Sequence, residues 1–255
     1  MNKTQGIEIE ENRAETSSLP TGQMIEKVVK QAALISLMIT ILFPLYFMFS
    51  NAFKERLEFI GSPLSLPQNP TFQSFANVLQ HPNLLKWVYN STFLTGFSVI
   101  LTTAIAILAA YALANMRFRG RDAFFNLMTP LMVIPPIVMV IPMFVLFQRI
   151  GLVNNLLGVA LIYSGLMLPL TVFLLRNFFV TIPREIQEAA RIDGANDLQL
   201  LTLIYLPLLR PALMTSMIVN AVWAWNELLI ALVFLQTEEL RPLIVGISIS
   251  LQKRF

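Results

Sequence analysis

The chain has 255 residues, 56% of them hydrophobic and 13% charged, with a formal net charge of +3 and no cysteine. A soluble domain averages roughly 45 to 50% apolar and about 25% charged residues, so this balance points to lipid as the solvent. The small, scattered positive charge gives no footprint for nucleic acid, and the absence of cysteine removes disulfides, thiol nucleophiles and thiolate metal sites.

Taken in chain order, residues 1–28 are polar and rich in Glu, Thr and Ser, which predicts a disordered tail ending at most in a short interfacial helix. The apolar run 29–50 is longer than the core of a signal peptide. It is followed by Asn51-Ala52-Phe53-Lys54 rather than a small-residue cleavage site, so it reads as a first membrane helix. Residues 51–90 carry Pro63, Pro67, Pro70 and Pro82, which predicts an external loop with one short helix near Thr71 to Leu79. His81, the only histidine, sits before Pro82 in this polar stretch and reads as an ordinary loop residue.

The segment 91–235 holds four further apolar runs, at about Ser91 to Met116, Ala123 to Gln148, Asn155 to Arg176 and Pro211 to Leu235. Each has the roughly 20 residues that a helix rising 1.5 Å per residue needs to cross a hydrocarbon core. The expected fold class is therefore all-α and polytopic, with about five transmembrane helices. The third run contains Pro130, Pro135, Pro136 and Pro142, none of which can donate a backbone hydrogen bond, so it should be kinked or locally unwound. In the second, Thr95, Ser98 and Thr102 beside Ala104, Ala106, Ala109 and Ala110 suit close helix packing.

Arginines orient these helices. Arg117, Arg119 and Arg121 crowd one connection, and Arg176, Arg184, Arg191 and Arg210 flank or occupy another. Basic residues accumulate on the cytoplasmic side, which puts both connections and the amino terminus inside the cell.

Two constellations stand out. Between the fourth and fifth spans, residues 181–207 are too charged to cross a bilayer, and Pro183 and Gly194 bracket a helix of about three turns. Ile186, Ala189, Ala190 and Asp193 share one face, while Arg184, Glu188 and Arg191 can pair at i+3 and i+4 spacing. Such a helix could lie on the membrane surface or dock against another protein; its small apolar face, poor in Trp, Phe and Leu, suits docking better. A second piece, Asp197 to Leu206, is expected to end at Pro207.

In the fifth span, Ser216, Asn220, Trp223 and Glu227 recur at i, i+4, i+7 and i+11, placing a hydroxyl, an amide, an indole and a carboxylate on one stripe beside Asn226. A carboxylate facing lipid near the bilayer centre would cost about 2.5 to 3.5 kcal/mol, so the stripe should face protein or water. It reads either as a path for a polar solute such as a sugar or as glue between helices.

No phosphate-cradling Gly-x-x-x-x-Gly-Lys-Ser/Thr loop occurs, nor a His-Glu-x-x-His pair or Gly-x-Ser-x-Gly elbow, so a membrane enzyme has little to work with. Glu188-Ala189-Ala190, Gly194 and Leu206-Pro207 together resemble the signature loop of permease subunits in binding-protein-dependent ABC importers. The runs Ala109 to Ala114, Arg117 to Arg121, Ile141-Pro142, Gly151-Leu152 and Ala224 to Glu227 are similar, in order, to the carbohydrate uptake branch and its smaller maltose-type permease subunit.

The resemblance implies the type I importer permease fold in a bacterial or archaeal inner membrane. It implies as partners a second permease subunit, two ATPase subunits that carry the ATP and Mg, and an extracytoplasmic solute-binding protein. By the same resemblance Glu188, Ala189, Ala190, Arg191 and Gly194 would form the ATPase-coupling surface, Glu188 meeting a basic residue, and no cofactor would bind this chain. Asn220, Trp223, Asn226 and Glu227 are candidates for the substrate path. Members of this branch usually have six spans; residues 236–255 offer an apolar run of only about ten residues, so the sixth is expected to be missing.

Overall fold

The computed structural model describes residues 21–252, and the described residues are helical with connecting turns. The expected polar tail lies outside these residues up to position 20, but helix α1 (Thr21–Ala52) already begins where the tail was expected to continue. Three helices are long and apolar enough to cross a membrane, and five spans result if each of two bent helix pairs counts as one.

The chain divides into two units, residues Met1–Asn77 and Val78–Phe255. In the first, α1 contains Pro44 and presents apolar side chains such as Leu42, Leu45 and Phe49 to its surroundings. The segment after it folds back on its carboxyl end. Buried Lys54 donates from Nζ to the carbonyls of Ser62 (2.8 Å) and Pro63 (3.3 Å), and Tyr46 and Ser50 donate hydroxyls to Leu64 and Ser65 (both 2.9 Å). These bonds satisfy carbonyls that prolines at 63 and 67 keep out of regular structure. Two short helices, α2 (Arg56–Gly61) and α3 (Gln73–Leu79), interrupt the segment, and the Phe53 ring packs against Phe72 and Phe75.

The second unit is built on α4 (Leu84–Asn115) and α7 (Leu156–Thr181), which pack together along much of their length with α10 (Arg210–Asn226) against both. Small residues allow the close approach: Ala106, Ala110 and Ala160 are fully buried. Hydroxyls then cross the seam. Ser98 donates to the carbonyl of Ala160 (3.1 Å) and Thr102 to that of Ser164 (3.2 Å), so these two members of the pattern read from the sequence serve helix packing.

Between α4 and α7 the third apolar run is broken into α5 (Arg121–Leu131) and α6 (Pro136–Arg149), bent by 105°. Pro135 and Pro136 both lack an N–H, and each disfavours helical geometry in the residue before it, so the helix cannot run through Met132 to Pro135. The connection to α7 is pinned by Asn154, whose backbone N–H bonds the Phe234 carbonyl (2.8 Å) and whose side chain pairs twice with Thr237.

Both the piece expected over Asp197 to Leu206 and the fifth run, expected as one continuous helix, differ from expectation. Asn196 and Gln199 form a reciprocal capping box that opens α9 (Asp197–Leu208), whose middle widens into a π turn over Leu200–Tyr205. Pro207 does not end this helix; the bend of 76° falls after Leu208, leading into α10. Then α10 stops at Asn226, and a separate short helix α11 (Leu229–Phe234) follows.

After a 3₁₀ turn at Glu238–Leu240, the short apolar run near the end folds as helix α12 (Leu243–Gln252). It packs against α4, with Gly246 so close to the Trp87 indole that any β-carbon would overlap the ring. Trp87 Nε1 donates to the Glu238 carbonyl (2.9 Å), Asn90 to those of Glu239 (2.8 Å) and Arg241 (3.0 Å), and His81 stacks on Trp87. Lys86 lies 2.8 Å from Glu239, and its hydrogen bond and charge hold that carboxyl below the usual carboxylate range.

Candidate functional site: coupling loop and polar stripe

Helix α8 (Arg184–Ile192) is the projecting part of the loop between α7 and α10. Pro183 precedes it in extended geometry, supplying a φ suited to the helix start. Its far end closes as a Schellman motif: Gly194 adopts φ +87°, its N–H bonds the Arg191 carbonyl (3.1 Å), and the Ala195 N–H reaches the Ala190 carbonyl (2.9 Å). The glycine is required because a side chain in the left-handed region costs about 1 to 2 kcal/mol.

Of the five candidate coupling residues, only Ala190 is buried; Glu188, Ala189, Arg191 and Gly194 are exposed. The face expected to be apolar is therefore divided. Ala190 points into a cluster that includes Phe179, Leu200, Tyr205 and Tyr111, while Ala189 and the 86% exposed Ile192 face outward. The expected pairing along α8 is replaced: Arg191 reaches Asp197 Oδ1 at 2.6 Å, and Glu188 makes no ion pair among the described residues.

A polar and aromatic scaffold that the sequence reading did not single out holds α8. The Tyr205 hydroxyl sits between Asn115 Oδ1 (3.0 Å) and Gln187 Oε1 (3.3 Å), joining α9 to the end of α4 and to α8. The Tyr111 hydroxyl donates to Asp197 Oδ1 (3.2 Å), the atom that also accepts from Arg191. The Tyr111, Phe179 and Tyr205 rings meet pairwise with centroids 5.4 to 5.9 Å apart. Two tyrosines near the ends of apolar runs were the available signal, since a buried hydroxyl must find a partner.

The polar stripe of α10 is not one open wall. Ser216 is buried and bonds its own helix at the Leu213 carbonyl (2.9 Å). Asn220 is buried and donates to Thr171 Oγ1 (2.9 Å), and Thr171 in turn donates to the Met167 carbonyl, so this amide ties α10 to α7. Trp223 is half-buried, edge-on to Tyr163 at 5.5 Å. Glu227 falls beyond the helix end. Its carboxyl accepts the N–H groups of Ile230 (3.0 Å) and Ala231 (3.2 Å) at the start of α11, and the Tyr163 hydroxyl donates to it at 2.9 Å. Asn226 and Trp225 are exposed, Asn226 donating to the Val222 carbonyl (2.8 Å).

The fold has solved counterparts. A bacterial ABC transporter involved in the import of the acidic polysaccharide alginate contains a chain that superposes with TM-score 0.76 at 29% identity, covering 93% of this chain and 82% of that one. Among curated proteins, the diacetylchitobiose uptake system permease protein DasC of Streptomyces coelicolor is 34% identical over 200 residues, 78% of this chain and 72% of that protein. The trehalose/maltose transport system permease protein MalG of Thermococcus litoralis is 33% identical over 232 residues, 89% and 83% of the two chains. Residues 102–252, which include α8, its scaffold and the stripe, match the family described as binding-protein-dependent transport system inner membrane component. The chain thus belongs to that family: it is a multi-pass membrane permease subunit of the ABC importer class.

Proposed function

We propose that this chain forms half of the translocation path of an ATP-driven importer for a sugar or oligosaccharide handed over by an extracytoplasmic solute-binding protein. The other half is a second permease subunit, and two ATPase subunits carrying ATP and Mg sit on the cytoplasmic side. The arginine-rich connections at Arg117 to Arg121 and around α8 support placing that end of the bundle, and the amino terminus, inside the cell. A sugar is the preferred solute because relatives at 33 to 34% identity are named for uptake of diacetylchitobiose and of trehalose or maltose.

The observation that carries the reading is the state of α8. It is capped at its far end by its own backbone, rooted through Ala190, and offers Glu188 and Ala189 outward. An unpaired carboxyl beside a methyl-sized neighbour suits close docking of an ATPase that supplies a basic residue. Closure of the ATPase dimer would move α8, and the Tyr205 and Asp197 contacts would pass that motion to α4.

Affinity purification of the intact assembly tests the proposal. Co-elution of a second permease, two ATPase copies and a sugar-loaded binding protein supports it; elution of the chain alone overturns it. In the same cells Glu188→Lys should leave membrane insertion intact and abolish uptake, and uptake that survives ATP depletion on a proton gradient would point to a carrier instead.

A further inference from the structure

The cleft enclosed by the ends of α4 and α7 and by α8 and α9 has a chemistry that docking of Glu188 does not use. Its volume is about 310 Å³, at the small end of the roughly 300 to 1,000 Å³ of ligand pockets. Arg117, Arg121, Arg184 and Arg191 line it, against the single carboxyl of Glu188. Two of these guanidiniums have carboxylate partners, Arg121 with Asp122 (3.0 Å) and Arg191 with Asp197 (2.6 Å). Arg117 and Arg184 make no ion pair or hydrogen bond among the described residues. Four cations converging on one small space repel one another, and an anion between them removes that cost.

We infer that this cleft binds a phosphoryl anion, presented by the headgroup of an anionic phospholipid of the cytoplasmic leaflet. Guanidinium forks match the oxygens of a phosphate in a way that point charges do not. The position fits the source: the cleft lies where α4 ends at Asn115 and α7 ends at Thr181, at the level where spanning helices leave the hydrocarbon. Basic pockets between transmembrane helices on the cytoplasmic side are suited to such headgroups. The floor is fixed by the Gln187, Tyr205 and Asn115 bonds, so the arginines extend from a rigid base. The site requires no ATPase, which separates its test from that of coupling.

The test uses the assembly purified in detergent, with lipid retention read by native mass spectrometry after exchange into phosphatidylglycerol or phosphatidylcholine. The wild type should retain phosphatidylglycerol selectively, and Arg117→Gln with Arg184→Gln should weaken retention at least about tenfold. Arg119→Gln, in the same loop but outside the cleft, should not; equal losses in both would reduce the effect to surface charge and overturn the site. Should the double variant fail to fold, Arg117→Gln alone, on an exposed loop residue, gives the same reading. Inorganic phosphate is the second arm, read as thermal stabilisation in phosphatidylcholine. Stabilisation that disappears in the variant assigns the same phosphoryl site to free phosphate, stabilisation absent with lipid retained assigns it to the headgroup, and neither signal overturns the inference. Loss of ATPase co-elution with phosphatidylglycerol retention unchanged would assign the arginines to a protein carboxylate and also overturn it.

Discussion

The hydroxyl of Tyr205 lies 3.0 Å from Asn115 Oδ1, joining residues 90 positions apart and fastening the loop that bears α8 to the end of α4. With Gln187 on its other side, this one oxygen links three helices. Removing it in Tyr205→Phe keeps the ring contacts to Tyr111 and Phe179 and should cost only about 0.5 to 1.5 kcal/mol of stability. Sugar-stimulated ATPase turnover should then exceed uptake, because α8 moves without carrying α4 fully. Uptake per ATP in proteoliposomes measures this, and an unchanged ratio would remove Tyr205 from the transmission path.

Gly194 closes α8 at φ +87° with open space around its α-carbon. Gly194→Ala therefore meets no clash and pays only the left-handed backbone cost, about 1 to 2 kcal/mol. Local loosening should appear as faster amide hydrogen exchange at Ala190 to Ala195, with the global melting temperature little changed.

Gly246 is the opposite case, since the Trp87 indole occupies the space a β-carbon needs. Trp87 is buried and held by its bond to the Glu238 carbonyl, so it cannot step aside freely. Gly246→Ala should destabilise by about 1 to 3 kcal/mol, the range for overpacking, and lower the melting temperature in detergent.

Glu227 and Asn220 separate glue from substrate path. Glu227→Gln keeps an acceptor for the α11 N–H groups and for Tyr163, whereas Glu227→Ala leaves the N–H groups of Ile230 and Ala231 without their side-chain acceptor, at about 1 to 3 kcal/mol. If the carboxyl only holds α11, uptake by the Gln variant keeps its KM and only the Ala variant loses stability. A raised KM in the Gln variant would return Glu227 to the path. A double-mutant cycle of Asn220→Ala with Thr171→Ala should show coupling of about 0.6 kcal/mol, the mean for hydrogen bonds between membrane helices.

Periodicity was enough to read the helical class, because a bilayer forces backbone groups to pair within each helix and leaves the apolar runs as the visible record. Pro130 to Pro142 foretold the break between α5 and α6, and Pro183 with Gly194 bracketed α8 to within a residue. Interruptions without a proline were harder. The fifth run is apolar again from Leu228 onward and no proline or glycine marks Asn226 and Glu227, so its composition did not show that α10 ends there and that Glu227 turns to serve α11. Nor could spacing along one helix reveal that Arg191 prefers Asp197 beyond the turn over Glu188 beside it. That choice depends on how the Gly194 cap redirects the chain, which is three-dimensional information.

The turn from Asp193 to Asp197 is closed on both sides by its own atoms, a Schellman cap ending α8 and a reciprocal Asn196 and Gln199 box opening α9. Its backbone needs nothing from a partner to hold its shape. Under the proposed coupling role, an ATPase arriving here would meet a preorganised surface and pay little ordering entropy, so affinity should follow the complementarity of the few outward side chains. Substitutions at those positions should then act mainly on how long the two chains stay together rather than on how fast they meet.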